Sequence, residues 1–292
     1  MVLVDCTYLN SDGGKTILHH IINHIIEKKI SDRFFFLIDF RIPSTEIKLN
    51  KNYVKYIKPS EFKRRSFYLN NNQKFQSFLC MSNVPPPIFI NKNVYIYFHN
   101  DLLIRPFKTN LSLFYKTLNF IKKQYIKLIN KENYLWIVQT QSVKNNISDA
   151  LRIKSKKIKI LPIFDSSEGF ISNKKLTNTF LYVSNYSNHK NHERLLKAFI
   201  KSANKIKKII SLNLTIHEED YKNSVYKLSS LPKNLNIKNH GILNKKDLNK
   251  LYSESEFLIF PSLNESFGLP LIESINFKCK VIASDLKYVH DI

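Results

Sequence analysis

Two acidic residues, Glu265 and Glu273, stand eight positions apart on either side of a Phe-Gly-Leu-Pro segment at 267–270. The apolar run before them, 256–260, is typical of a buried strand, and Pro270 is typical of the first turn of a helix. The first carboxylate is therefore predicted at the C-terminal end of a strand and the second inside the following helix. Open α/β sheets bind their ligands at that end of their strands, so we infer that the two acids face a ligand.

Short β-rich runs alternate with helical patterns along the chain. This alternation predicts parallel βαβ units, which would supply the strands and helices that position the two acids. In the first half the pattern predicts a helix over 13–29 and strands over 2–9, 33–40, 94–99, 134–140 and 157–161. In the second half it predicts strands over 180–186, 212–216, 235–243, 256–262 and 280–285, and helices over 190–204, 219–229, 245–254 and 270–277. Residues 41–90 are less regular.

A polar segment without periodicity separates the two series and has the composition of a linker. We therefore predict an α/β protein with two Rossmann-like domains, 1–165 and 179–292, joined by a linker over 166–178. The two domains are expected to face each other across a cleft.

Two segments of the second half resemble the retaining group 1 glycosyltransferases of family 4. Residues 261–285 carry their E-x7-E signature around the F-G-L-P turn, and residues 180–199 look like their first C-domain strand with its phosphate-binding lysine. The match is strong over 180–286. It is weaker over 1–165, where it rests on a Gly-Gly turn, on YFHN at 97–100 and on IVQTQSVKNNI at 137–147. The resemblance implies the two-domain GT-B fold.

The resemblance implies a site for a nucleotide-diphosphate sugar, with the diphosphate held by Lys190 and by the N–H groups of Phe267, Gly268 and Leu269. In the family an arginine usually stands five residues before the lysine, where this chain has Asn185. One cationic contact to the diphosphate is therefore missing or comes from elsewhere. No cofactor and no metal ion are implied.

On the sugar side the resemblance implies that Glu265 is the catalytic residue beside the reacting carbon and that Glu273 accepts hydrogen bonds from the ribose hydroxyls. It also places Gly13, Gly14 and His99 towards the sugar or the acceptor. Each residue also has an ordinary structural explanation. A loop or helix-surface acid is commonly solvated, any strand-to-helix turn favours glycine, and a histidine at a strand end is often structural.

The chain has a formal net charge of +23 over 292 residues. Such an excess attracts nucleic acid, anionic membranes or phosphorylated substrates, although an A/T-rich genome would also enrich lysine. The lysines are spread along the chain, and no helix-turn-helix, zinc or aromatic RNA-binding motif accompanies them, so specific nucleic-acid binding is the weaker alternative. The three cysteines are widely spaced, which predicts a reducing compartment and no structural zinc.

A helix is expected over 113–131, with five apolar residues on one face and lysines elsewhere: Leu118, Ile121, Tyr125, Leu128 and Ile129. We favour packing of this face into the core with the lysines solvated, and the alternative is a helix lying on an anionic membrane. The N-terminus has no basic region before its short apolar run, so it is not a signal peptide. These features predict a cytoplasmic protein, either free or peripheral at the inner face of the cytoplasmic membrane.

Together these observations predict a metal-independent, retaining glycosyltransferase acting on a glycan or lipid-linked acceptor. A role in surface polysaccharide or lipopolysaccharide synthesis follows only from what is frequent in the family. Family members usually continue past the segment 284–292 with a further strand and helices, so the second domain is expected to be incomplete. A non-catalytic glycan-binding remnant is therefore the main alternative.

Overall fold

The computed structural model describes residues 1–10, 12–104, 113–163, 175–225 and 231–292. The chain divides into two compact units, Met1–Asp165 and Ser166–Ile292. Each unit is built on one parallel β-sheet flanked by helices. The predicted α/β fold class is therefore confirmed.

The first unit contains seven strands and four α-helices in its described part: β1 (Val2–Cys6), α1 (Asp12–Glu27), β2 (Phe34–Asp39), β3 (Val54–Ile57), α2 (Glu61–Asn71), β4 (Ser77–Cys80), β5 (Asn93–Phe98), α3 (Leu113–Ile129), β6 (Leu135–Val138), α4 (Gln141–Leu151) and β7 (Ile158–Ile160). The sheet order is β3-β2-β1-β4-β5-β6-β7, and all neighbouring strands are parallel. Strand β2 is covered on both faces, since Phe36, Leu37 and Ile38 are fully buried. Continuous burial of this kind is expected for a parallel sheet between helical layers.

The second unit contains five strands and five α-helices in its described part: β8 (Leu176–Tyr182), α5 (His192–Ala203), β9 (Ile210–Leu214), α6 (Glu218–Val225), β10 (Leu235–Asn239), α7 (Lys245–Glu254), β11 (Ser255–Phe260), α8 (Leu269–Asn276), β12 (Lys280–Ala283) and α9 (Lys287–His290). The sheet order is β10-β9-β8-β11-β12, again with parallel neighbours. Its core includes Leu181, Leu212, Leu258 and Phe260.

The strand order reverses between β1 and β4 in the first sheet and between β8 and β11 in the second. At such a reversal the two chain segments that leave the strands turn to opposite sides of the sheet and open a crevice at the strands' carboxyl ends. Each unit therefore has one place where its topology favours a ligand.

Three sequence predictions need correction. Strand β8 begins at Leu176 rather than 180, so the last three residues assigned to the linker lie in the sheet, where Leu176 pairs with Ser255. The strand ends at Tyr182 because the chain then turns away, with the Ser184 N–H donating to Thr215 Oγ1 at 3.3 Å. The region 41–90, which the sequence analysis described only as less regular, contains two short strands and a helix, β3, β4 and α2.

The third correction concerns α3. Its predicted apolar face packs only in part: Leu118, Tyr125 and Ile129 are half-buried, whereas Ile121 and Leu128 are 58% and 75% exposed. The one buried residue of the helix, Ile126, lies outside the predicted face. Further apolar residues of the helix are exposed: Leu113, Phe114, Tyr115 and Phe120. The helix therefore presents much of its apolar surface to solvent.

Candidate functional site

The second unit brings Lys190 and Glu265 together at the strand reversal. The turn Asn188–Lys190 follows β8 and the loop from Pro261 follows β11, and these two strands are hydrogen-bonded neighbours. The Lys190 Nζ donates to Glu265 Oε1. The backbones of the two loops are also tied, since the Leu263 N–H donates to the carbonyl of His189 at 2.7 Å. Adjacent strands thus place an ammonium and a carboxylate in contact, although 75 residues separate them.

This ion pair is largely withdrawn from water, since each of its two side chains is only 14% exposed. The Lys190 Nζ also lies 5.7 Å from the centre of the Phe260 ring, and the Tyr182 hydroxyl donates to the carbonyl of Lys190 at 2.6 Å. Burial, together with the charges of Lys190 and His189, lowers the pKa of His192 to about 4. The neighbouring imidazole is therefore neutral at pH 7 and does not compete with the lysine for an anion.

The turn after Glu265 is shaped by Gly268, which has φ 76° and ψ 51° and directly precedes α8. A Cβ at this position would lie 3.0 Å from Leu271 Cδ1, so both the backbone conformation and the space favour glycine. Phe267 is buried and anchors the turn. The first N–H groups of a helix have no acceptor within the helix, and they favour an anion at this end.

Glu273 lies in α8 and is held by two donors from α7. The Tyr252 hydroxyl donates to Oε2 at 2.9 Å, and the Lys245 Nζ donates to Oε1 at 2.7 Å. Tyr252 is fully buried, and its burial, with the adjacent carboxylate, raises the pKa of its hydroxyl. The carboxylate is therefore fixed from the protein side by a neutral donor and from the solvent side by a cation that is 51% exposed.

Asn185 is exposed in the loop between β8 and the Lys190 turn. It is neutral, so the second cation that the family usually has at this point is absent from this position. The sequence analysis did not identify Lys245, the lysine that forms an ion pair with Glu273.

In the first unit, His99 directly follows β5 and is oriented by Asn83. The backbone N–H of His99 donates to Asn83 Oδ1 at 2.7 Å, and the side-chain amide nitrogen of Asn83 is 3.4 Å from the ring nitrogen His99 Nε2. Burial lowers the pKa of His99 to about 4. Its Nδ1 is buried and has no hydrogen-bond partner in the part of the chain that the structure describes. A neutral imidazole with an unused nitrogen is thus fixed at the carboxyl end of the first sheet.

Gly13 and Gly14 lie in the first turn of α1 rather than in a loop before it. Gly13 is exposed, and a Cβ there would have no neighbour within 4 Å. Local sterics therefore do not require glycine at position 13.

A cavity of about 660 Å³ lies at the strand reversal of the first sheet. Its lining comes from the segments after β1, β2, β3, β4 and β5 and from α2 and α3: Tyr8, Asn10, Arg41, Pro59, Glu61, Ser82, Asn83, Val84, Asn100, Leu103, Lys122, Tyr125 and Ile126. Glu61 is central to it, because the hydroxyls of Tyr8 and Tyr125 donate to its two oxygens at 2.6 and 2.7 Å. The lining therefore combines aromatic surface with hydroxyl and amide groups, which suits a polar, ring-containing ligand.

A buried ionic network of Arg64, Asp5 and Glu61 lies next to this cavity. Arg64 donates from Nε to Asp5 Oδ2 at 2.7 Å and from a terminal nitrogen to Glu61 Oε1 at 3.0 Å. Tyr68 and Thr7 complete the hydrogen bonds to Asp5. Arg64 and Asp5 are fully buried, so this network fixes the position of Glu61. Among the residues that the structure describes, no cluster of three or more potential ligand side chains could hold a metal ion.

Residues 165–292 match the family model described as glycosyl transferases group 1. The match covers the second unit, which is therefore similar to the group 1 glycosyltransferases. The chain is similar to the O-antigen chain mannosyltransferase RfbU of Salmonella typhimurium, with 27% identity over 222 residues. That alignment covers 73% of this chain and 58% of the relative, so the chain spans less than two thirds of that protein's length.

Solved glycosyltransferase structures share the fold of this chain. WaaG, a glycosyltransferase involved in lipopolysaccharide biosynthesis, is 12% identical with a TM-score of 0.66, over 99% of this chain and 83% of WaaG. The pneumococcal O-GlcNAc transferase GtfA, solved with UDP and GlcNAc, is 11% identical with a TM-score of 0.67, over 99% and 84%. HepE of Anabaena, solved with UDP-glucose, is 13% identical with a TM-score of 0.66, over 99% and 81%. These likenesses show the GT-B fold.

Proposed function

We propose that this chain is a retaining, metal-independent glycosyltransferase, or the greater part of one. It transfers a sugar from a nucleotide-diphosphate donor to a glycan or lipid-linked acceptor in surface polysaccharide or lipopolysaccharide synthesis. The proposal is supported by the match of residues 165–292 to the group 1 glycosyl transferase model and by the similarity to an O-antigen chain mannosyltransferase.

The observation that carries the proposal is the contact between Lys190 and Glu265 beside the left-handed Gly268 turn. A diphosphate leaving group needs cations and N–H donors where its charge develops. A sugar bound next to that group needs a carboxylate close to its reacting carbon. The strand reversal of the second sheet supplies both, together with the start of a helix.

In this proposal Lys190 and the N–H groups of Phe267, Gly268 and Leu269 bind the diphosphate. Glu265 is the catalytic carboxylate beside the sugar, and Glu273 binds the ribose. Neither acid requires a metal ion, because the lysine and the helix N-terminus supply the positive charge that the leaving diphosphate needs.

We assign the acceptor to the first unit. The cavity at its strand reversal has the volume of a small-molecule site, and its tyrosines and amides suit a sugar. His99 borders this region through Asn83, which lines the cavity. Its neutral imidazole is suited to hydrogen bonding with a hydroxyl group rather than to ion pairing.

A peripheral position on an anionic membrane is part of the proposal, and α3 supports it. The exposed apolar residues of α3 are accompanied by five lysines within 113–131, and this segment has no acidic residue. Interfacial helices combine an apolar face with flanking lysines in this way. No helix in the described residues is long and apolar enough to cross a membrane.

The catalytic proposal is tested by incubating the full chain with a panel of UDP- and GDP-sugars and a lipid-linked acceptor extract. The anomeric configuration of the product is then determined by NMR. We expect transfer with retention, unaffected by EDTA, and a fall in kcat of roughly 100-fold or more for Glu265→Gln. Full activity of that variant, or an inverted product, would exclude the assigned role.

The membrane proposal is tested by co-sedimentation with vesicles of phosphatidylglycerol and phosphatidylcholine. The double variant Ile121→Asn/Leu128→Asn should lose most of its binding. The control Ile206→Asn/Ile209→Asn alters two exposed isoleucines of the second unit and should bind like the unmodified chain. Equal binding of both variants would contradict a membrane role for α3.

A further inference from the structure

Lys245 contacts the carboxylate that the proposed function assigns to the ribose, and its position in the fold indicates a further role there. It is the first residue of α7, and its Nζ is 2.7 Å from Glu273 Oε1. Glu273 follows Leu269, the first residue of α8, by four positions, or about 6 Å of helix rise. Because helical side chains point back towards the N-terminus, the Glu273 carboxylate and the ammonium bound to it are displaced towards the first turn of α8.

The charges of the site require another cation. Glu265 and Glu273 contribute two carboxylates, Lys190 contributes one ammonium, and Asn185 contributes none. These four residues therefore carry a net charge of minus one at a place where a dianionic or trianionic diphosphate has to bind. With Lys245 the net charge becomes zero, and the repulsion of the donor is reduced.

The contacts of Glu273 leave Lys245 available for a ligand. The carboxylate is anchored independently by the buried Tyr252 hydroxyl, so it does not need the lysine to keep its orientation. An ammonium has three N–H donors, and the one bound to Glu273 Oε1 leaves two. The side chain is half-exposed and has a flexible four-carbon stem, so rotation of the side chain alone can redirect its ammonium group.

Resting on the proposed function, we propose that Lys245 binds the diphosphate of the donor and takes the role of the cation that is absent at Asn185. Its ammonium also links the phosphate group to the ribose-binding carboxylate. The ion pair of Lys245 and Glu273 therefore contacts both the diphosphate and the ribose. Donor recognition in this chain therefore depends on α7 as well as on the turns after β8 and β11.

The test uses isothermal titration calorimetry of the full chain with UDP, GDP, uridine and guanosine. Lys245→Ala should weaken binding of the preferred nucleoside diphosphate by about 10- to 100-fold, the range expected for a charge-assisted contact, and should leave binding of the matching nucleoside unchanged. Lys245→Arg should retain most of the diphosphate affinity. Lys246→Ala is the matched control, because it removes an exposed lysine from the next position of the same helix.

Equal losses for diphosphate and nucleoside would show that Lys245 acts only by orienting Glu273, and would overturn the inference. Equal losses of diphosphate affinity for Lys245→Ala and Lys246→Ala would show that only the net charge of the protein matters, and would also overturn the inference. If the unmodified chain binds neither UDP nor GDP, the proposed function itself fails. If it binds one of them and Lys245→Ala binds it equally well, only this inference fails. Thermal unfolding of each variant shows that the protein is folded.

Discussion

Replacing Lys190 by methionine removes the cation beside Glu265 and keeps a side chain of similar length against the Phe260 ring. The variant leaves a carboxylate that is only 14% exposed without its counter-ion. Exposed ion pairs contribute about 0–1 kcal/mol, and breaking a fully buried pair costs about 3–5 kcal/mol. For this mostly buried pair we expect a loss of about 2–3 kcal/mol in the free energy of unfolding, between those two limits.

A double-mutant cycle separates the pair from its surroundings. Glu265→Gln should destabilise the second unit by only about 1 kcal/mol, because the amide oxygen still accepts a hydrogen bond. The double variant Lys190→Met/Glu265→Gln no longer has an unpaired charge. Its loss of unfolding free energy should therefore be smaller than the sum of the two single losses by at least about 1 kcal/mol. Its affinity for a nucleoside diphosphate should nevertheless stay low, since the cation is missing.

The assay is urea unfolding followed by two signals. The chain has a single tryptophan, Trp136, which lies in the first unit, so its fluorescence reports that unit and serves as an internal control. Far-UV circular dichroism reports both units and should show the shift in the second. A coupling energy below about 0.5 kcal/mol would mean that the two charges do not interact in solution. Recovery of nucleotide affinity in the double variant would show that Lys190 does not bind the diphosphate.

Three further predictions follow from the same structure. Glu273→Ala should raise the donor KM on the order of 10- to 100-fold with little change in kcat, because contacts to a charged group contribute about 1.5–3 kcal/mol in ground and transition states alike; an equal fall in kcat would contradict the ribose role. Gly268→Ala should cost about 1–2 kcal/mol plus the clash with Leu271, whereas Gly241→Ala, at φ 66° in open space, should show the backbone cost alone in urea unfolding. Burial raises the pKa of Asp5, but the charge of Arg64 and three hydrogen bonds outweigh it and hold the pKa below its ordinary value. A lowered pKa gives stability that is present above about pH 4 and is lost as the pH falls through the pKa of the folded state. In Asp5→Asn the free energy of unfolding, measured by Trp136 fluorescence, should therefore fall less steeply with acid than in the unmodified chain.

The residues around the second strand reversal could be predicted because each belongs to a local pattern. Glu265 follows an apolar strand, Gly268 and Pro270 mark the start of a helix, and Lys190 follows another strand. Parallel strands bring their carboxyl ends to one edge, so the sequence was sufficient to group these residues. Strands β3 and β4 were missed because each has only four residues and lies in the region 41–90, where the alternation of β-rich and helical runs is less regular.

Two other features could not be predicted because they depend on packing between elements. Lys245 meets Glu273 across 28 residues, and the meeting depends on the packing of α7 and α8 against the same sheet. The apolar stripe of α3 was visible at helical spacing, but spacing does not say which side of a helix the sheet occupies. In the structure Ile126 faces the core, and Ile121 and Leu128 face solvent.

Both acids of the proposed donor site are paired with a lysine in the structure, Glu265 with Lys190 and Glu273 with Lys245. A carboxylate left unpaired in so sheltered a place would repel the diphosphate before it could bind. In the proposed enzyme the incoming phosphate competes with Glu265 for Lys190, so the catalytic carboxylate loses part of its neutralising contact only when a donor is present. Its negative charge is then greatest beside the sugar at the moment when positive charge develops on the reacting carbon, where an electrostatic contact lowers the barrier most.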